Sequence, residues 1–177
     1  MPEMPEPLAP VLAFVNSMDV ELATDEWAGG PTALADWLVA GELTPPGVRV
    51  TARDLAVALD LRTGLRAMTL ANNGVPPPAD VEAAFTRTLG RFPLVAGPGG
   101  LSPTADDPVG AAFGRVVAGY AFGVATGDWA RMRQCPAGDC SWVFWDSSAK
   151  GARKWCTMGV CGNRSKVRAY AARRRTG

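Results

Sequence analysis

Cys135-Pro136-Ala137-Gly138-Asp139-Cys140 and Cys156-Thr157-Met158-Gly159-Val160-Cys161 hold all four cysteines of this 177-residue chain. The spacing is C-x4-C, fifteen residues, C-x4-C. Each pair closes a turn that aims two sulfurs at one point, and Pro136, Gly138 and Gly159 suit such turns. Four thiolates in two close pairs fit one tetrahedral zinc. Such a metal organises a segment too small to hold a core alone, so that metal binding becomes folding free energy. Three other states compete with it: two disulfides, which need an oxidising compartment; iron, whose rubredoxin-like sites use tighter pairs; and free structural cysteines. Four protein ligands leave no open position, so the zinc is read as structural, not catalytic.

The chain contains no histidine, which removes a Ser-His-Asp triad, a Cys-His dyad and every imidazole zinc ligand. No other nucleophile stands beside a plausible base, and no enzyme activity is expected. Gly97-Pro98-Gly99-Gly100 lacks the Lys-Ser/Thr of a phosphate loop and reads as a hairpin turn. The net charge of +1 conceals two opposed segments. Residues 1–130 set seven Arg and no Lys against fifteen acids, a net −8. Residues 131–177 set eight Arg and three Lys against Asp139 and Asp146, a net +9. That shift marks the expected boundary between an acidic domain, 1–130, and a basic one, 131–177. A basic segment of this density suits an anionic partner such as nucleic acid.

The acidic part reads mainly as helices. Leu8, Val11, Leu12 and Val15 have helical spacing, although 13–15 could form a strand. Thr32 is expected to cap a helix carrying Leu34, Trp37 and Leu38 and ending at Gly41. Thr51 and Asp54 form a capping box opening a helix to about Ala71. Asn72-Asn73-Gly74 and the prolines at 76–78 break it. Asp80 is expected to cap the next helix, which ends at Gly90. Residues 91–104 predict a β-hairpin. Asp107-Pro108 starts an amphipathic helix with Val109, Phe113, Val116, Val117, Tyr120 and Val124 on its apolar side. Trp27, Trp37 and Trp129 are expected in the core or at a domain interface rather than in a ligand cage. The apolar stretches look too short to span a membrane. Glu3 and Glu6 without a basic residue exclude the charged start of a secretory leader, so a cytoplasmic protein is expected.

Between the cysteine pairs, 142–145 and 153–155 predict a second hairpin with an aromatic face. After Cys161, Gly162-Asn163 turns the chain and caps a helix from about Arg164 to Arg174. Knuckle, hairpin, knuckle and helix make a treble-clef-like zinc finger. The whole is an α+β chain: a mainly helical N-terminal domain with a small β-hairpin, then that finger.

Cys135-Pro136, Trp142-x-Phe144, Asp146-x-Ser148, Arg153-x-Trp155-Cys156 and Cys161-Gly162-Asn163-Arg164-x-Lys166 resemble the CGNR zinc finger, from about Arg131 to Arg173. Leu12-Ala13-Phe14-Val15-Asn16-Ser17 and Asp36-Trp37-Leu38 with Gly41 resemble the ABATE domain of stress-induced transcription regulators. The resemblance implies a bacterial, zinc-binding, DNA-binding regulator with Cys135, Cys140, Cys156 and Cys161 as ligands of one structural zinc. It makes Asn163, Arg164 and Lys166 candidates for helix capping and DNA contact.

The leading expectation is a transcription regulator docking its C-terminal helix on duplex DNA. Arg164, Lys166, Arg168, Arg173, Arg174 and Arg175 would neutralise phosphates, with Asn163, Arg153 and Lys154 as further contacts. The acidic domain is left to sense a small-molecule effector, bind a protein or form a homodimer. Two alternatives stand beside it: a protein-interaction adaptor anchored by Trp142, Trp145 or Trp155, and an RNA-binding module whose tryptophans stack on unpaired bases.

Overall fold

Thr51 decides where the longest helix starts. In the computed structural model, which describes residues 2–176, its hydroxyl accepts from the Asp54 backbone N–H at 3.2 Å, while its own N–H donates to the Asp54 carboxylate at 2.8 Å. This reciprocal box opens α3 (Ala52–Ala71), which carries Val57, Ala58, Leu61 and Leu65 into the core.

A single turn of 3-10 helix at Glu6–Leu8 leads into α1 (Ala9–Val15). The strand alternative for 13–15 is thereby settled as helix. A two-residue strand pair follows, β1 (Met18–Asp19) with β2 (Thr24–Asp25), antiparallel. The helix α2 (Pro31–Ala40) ends at Gly41 as expected, but Thr32 is not its cap. Pro31 takes the first helical position, where its missing N–H is no loss, and Gly30 at φ +86° precedes it. The same displacement moves the start of α4 (Ala79–Leu89). Pro78 stands at its cap, so Asp80 lies inside the first turn, where its charge still favours the positive helix end.

The strands β3 (Leu94–Gly97) and β4 (Gly100–Pro103) form the expected hairpin, Gly97 opposite Gly100. Asp107 caps α5 (Pro108–Thr126), accepting from the Gly110 N–H at 2.7 Å. A 3-10 turn, Asp128–Arg131, then leads to β5 (Met132–Gln134) and β6 (Val143–Trp145), and the chain ends in α6 (Asn163–Thr176).

Leu8, Val11, Phe14, Leu34, Leu38, Leu61, Leu65 and Val116 are fully buried in one core. Its centre is aromatic. Phe14 meets Trp27 edge-on at 4.9 Å and Phe113 at 6.2 Å, and Trp27 meets Trp37 at 5.4 Å. Two close approaches require glycine. A Cβ on Gly64 would lie 2.0 Å from the Phe85 ring of α4, and one on Gly119 would lie 2.1 Å from the Pro7 carbonyl.

One expectation about the apolar segments needs correction. At nineteen residues, α5 is long and apolar enough to cross a membrane. Half of it is buried against the rest of the fold, including Val109, Phe113, Val116 and Val117, which is how a central core helix is placed.

A buried polar node sits beneath this core. Arg62, 5% exposed, donates to both Asp25 carboxylate oxygens, at 3.0 and 2.5 Å, and to the Ser17 hydroxyl at 2.9 Å. Its guanidinium lies 4.3 Å from the Trp27 ring centroid. These bonds hold the Asp25 carboxyl below its ordinary value, outweighing its partial burial.

Candidate metal centre

The first cysteine pair is built into a β-hairpin. β5 and β6 pair antiparallel, Gln134 opposite Val143, and the ladder continues where the Cys135 N–H donates to the Trp142 carbonyl at 2.8 Å. The six residues from Cys135 to Cys140 close it. Cys140 and Ser141 both donate to the Ala137 carbonyl, and Ser141 takes φ +53° to rejoin the strand.

This corrects the predicted hairpin. β6 pairs with β5, on the N-terminal side of the first knuckle, and not with 153–155. The aromatic run showed a strand but not its partner. Residues 146–155 instead form a loop organised by a carboxylate. Asp146, fully buried, accepts from the Ser148 N–H at 2.9 Å and the Arg153 N–H at 2.8 Å. Arg131 donates to the Asp146 and Ser148 carbonyls from the other side. Although burial acts to raise the Asp146 pKa, the bonds from Ser148 and Arg153 and the Arg133 charge hold it lowered.

The second pair spans the loop and a widened helical turn. Cys156 precedes a π-type turn at Met158–Gly162, and Cys161 lies within it. A Cβ on Gly162 would lie 2.5 Å from the sulfur of the flexible, exposed Met158 side chain and 3.1 Å from the Trp155 ring. The turn runs directly into α6. Asn163 is therefore not a cap: it is the first residue of α6, and its side-chain amide donates back to the Gly159 carbonyl at 3.0 Å.

All four sulfurs lie within 4.8 Å of one another, and Cys140–Cys156 and Cys156–Cys161 are each 3.5 Å apart. A tetrahedral zinc with sulfur ligands at about 2.3 Å requires sulfur separations of about 3.8 Å. The donor set therefore fits one structural zinc. Burial pushes the Cys140 thiol well above its ordinary value, and burial with neighbouring thiols pushes Cys156 up to about 11. A dication among them supplies the charge that keeps such sulfurs as thiolates. Cys161 differs: burial raises it, but hydrogen bonds from Cys156, Cys140 and Arg164 outweigh that and lower it.

Around the cluster the basic residues divide into three groups. Arg153 is committed to the finger's backbone. It donates to the Trp155 and Cys156 carbonyls and stacks 4.9 Å from the Phe144 ring centroid. Arg164 and Arg168 are ion-paired. Arg164 reaches Glu21 at 2.9 Å, Asp139 at 3.3 Å and the Cys161 sulfur at 3.5 Å. Arg168 grips Asp139 with both guanidinium ends, at 2.8 and 3.2 Å. Glu21 comes from the β1–β2 turn, held there by the Asp19 carboxylate accepting from Glu21 and Leu22. Lys166 and Arg174 are exposed on α6, and Arg174 lies 5.9 Å from the Tyr170 ring. Lys154 is exposed on the loop, 5.2 Å from the Trp155 ring centroid. Arg173 is exposed and engaged. The Arg175 side chain lies outside the described residues.

The tryptophans are largely committed. Trp145 packs on the main core and donates to the Pro2 carbonyl at 3.1 Å, while Trp155 packs against the cysteine cluster. Trp142 is 36% exposed.

Two family models match the chain. That of the CGNR zinc finger covers residues 131–174. That of ABATE, described as "Putative stress-induced transcription regulator", covers residues 8–130. The chain belongs to the ABATE family. No curated protein matches this ABATE chain. Both families are regulatory in kind and neither is enzymatic.

The ABATE part grips the finger through side chains that the sequence did not single out. Asn16 donates to the Val143 carbonyl at 2.8 Å and accepts from its N–H at 3.0 Å, pairing with β6 like a strand residue. Arg66 donates to the Val15 and Ser141 carbonyls. Asn72 donates to the Trp129 and Met132 carbonyls, and Asn73 to that of Gln134. Met132 and Val143 belong to the main core, which thus crosses residue 130. Asn16 stands within the quoted ABATE motif, and Asn72-Asn73 read only as a helix break. Asp146-x-Ser148 is an Asx-turn pattern that could have marked the loop. Glu21 carried no signal.

Proposed function

We propose that this ABATE protein is a zinc-dependent, DNA-binding transcription regulator, with residues 1–130 and 131–177 acting as a sensing and a DNA-docking module. The observation that carries the reading is α6: a basic helix whose residues 166–171 are all exposed and which packs chiefly on the turn before it. Its Arg168 side chain is 60% exposed, and Val167, Lys166 and Tyr170 stand open beside it. Cations of this helix would neutralise phosphates, while an arginine or Val167 meets base edges. Cys135, Cys140, Cys156 and Cys161 would hold the zinc that fixes the root of the helix. Acidic surfaces elsewhere repel DNA and leave the finger as the contact.

Fluorescence anisotropy of the zinc-loaded chain with a labelled duplex tests this. The logarithm of affinity should fall with the logarithm of salt, at about 0.9 per phosphate contact. No measurable affinity at low salt ends the proposal. An adaptor that binds an acidic protein is the second reading, favoured by Met158, Val160, Val167 and Tyr170, each more than half exposed. It gains if the Arg164, Lys166 and Arg168 side chains prove dispensable for binding duplex DNA.

A further inference from the structure

A cleft of about 540 Å³ lies where the end of α3 faces the finger. Leu70 and Val75 form one wall, Pro136 and Ala152 form the other, and Arg133 and Lys154 contribute the charge. Volumes of this order suit small organic molecules. Among the described residues lining it, none is a carboxylate.

The polar groups of the cleft are unequally satisfied. The Asn73 amide is already committed to the Gln134 carbonyl. Arg133 is not: its Nε is buried and has no hydrogen-bond partner among the described residues. The nearest acid, Asp146, stands 3.7 Å from that nitrogen, beyond hydrogen-bonding distance. Its two oxygens already serve Ser148 and Arg153. The Arg133 side chain is a quarter exposed and meets Asp146 only at that longer distance, so its positive charge remains open to a second anion. Lys154, exposed at the rim, adds a second positive charge.

From this we infer that the cleft binds a small organic carboxylate, with the apolar body between Leu70, Val75 and Pro136 and the charged end toward Arg133 and Lys154. The occupant bridges the ABATE part and the finger, since each supplies one wall. Cys135, a member of the sulfur cluster, lines the same cleft. Binding therefore couples a small molecule to the root of the finger. It does not depend on the finger's binding DNA.

The test is calorimetric titration of the full zinc-loaded chain with 2-naphthoate and, separately, with the uncharged 2-naphthamide. The expected result is one naphthoate per chain, with the amide weaker by at least about tenfold. Lys154→Gln, at an exposed position, and Arg133→Gln should each weaken naphthoate and leave the amide unchanged. Ala152→Trp, which fills the rim, should abolish both. Zinc content and the thermal transition of each variant report whether it folds, and Lys154→Gln keeps the test informative if Arg133→Gln does not. Absence of naphthoate binding up to its solubility limit overturns the inference. So does equal affinity for the amide, or undiminished binding by Lys154→Gln and Ala152→Trp.

Discussion

Replacing Glu21 by Gln and Asp139 by Asn together should make the protein bind DNA more tightly and with a steeper salt dependence. These carboxylates hold two guanidiniums at the N-terminal end of α6: Arg164 by both acids, Arg168 by Asp139 through two hydrogen bonds. In the native chain a phosphate must displace a carboxylate to reach either arginine. With both acids neutral, two cations become available. Two added phosphate contacts steepen the log–log slope by about 1.8. Over a fourfold rise in salt, from about 50 to 200 mM, each contact contributes a factor of about 3.5, so the variant should lose about twelvefold more affinity than the native chain. Anisotropy with one labelled duplex across a salt series reads this directly. Asp36→Asn with Asp60→Asn, exposed acids on α2 and α3, removes the same charge away from these pairs and should leave the slope unchanged. If the double variant at 21 and 139 has the native slope, Arg164 and Arg168 do not meet phosphate. If the control variant matches it, net charge alone is responsible.

Metal analysis should give one zinc per chain, and a chelator or Cys156→Ser should remove α6 helicity while the near-ultraviolet signal of the Phe14–Trp27–Trp37 core persists. Asn16→Ala leaves the Val143 N–H and carbonyl without that partner. It should cost about 1–3 kcal/mol, read as a melting shift of about 2–4 °C per kcal/mol for a chain of this size. Gly64→Ala forces Phe85 out of place, and overpacking of this kind costs about 1–3 kcal/mol in denaturant titration. Because Arg62 lowers the Asp25 pKa below 3.8, the pair's stabilisation is fully present above that value and is lost as pH falls through the folded-state value. Asp25→Asn should therefore flatten the acid limb of the stability–pH curve; an unchanged limb assigns acid sensitivity to other carboxylates.

The features legible in the sequence were those fixed by neighbours along the chain. Thr51 with Asp54, Asp107 with Pro108, and the two C-x4-C turns each depend on contacts within a few residues, and each is found. Thr32 and Asp80 failed because a nearby proline fits the helix entry better than a side-chain cap does. The choice of β5 as the partner of β6 is a long-range decision. It depends on a six-residue metal-binding turn acting as the hairpin connection, which alternation within 142–145 does not encode. The ligand cluster was therefore evident, while Arg164, which looked available, is paired to Glu21 from 143 residues away.

The grip of Asn16, Arg66, Asn72 and Asn73 on the strands of the finger has a mechanical consequence. The helix α6 does not hang on a linker; it is rooted directly in the cysteine turn. Its fourteen residues make it about 21 Å long, so a tilt of about 10° at the root carries the far end about 4 Å. That is comparable to the spacing of neighbouring bases along a duplex. On the proposed docking to duplex DNA, a small displacement where α3 meets the strands would thus change which base the tip addresses.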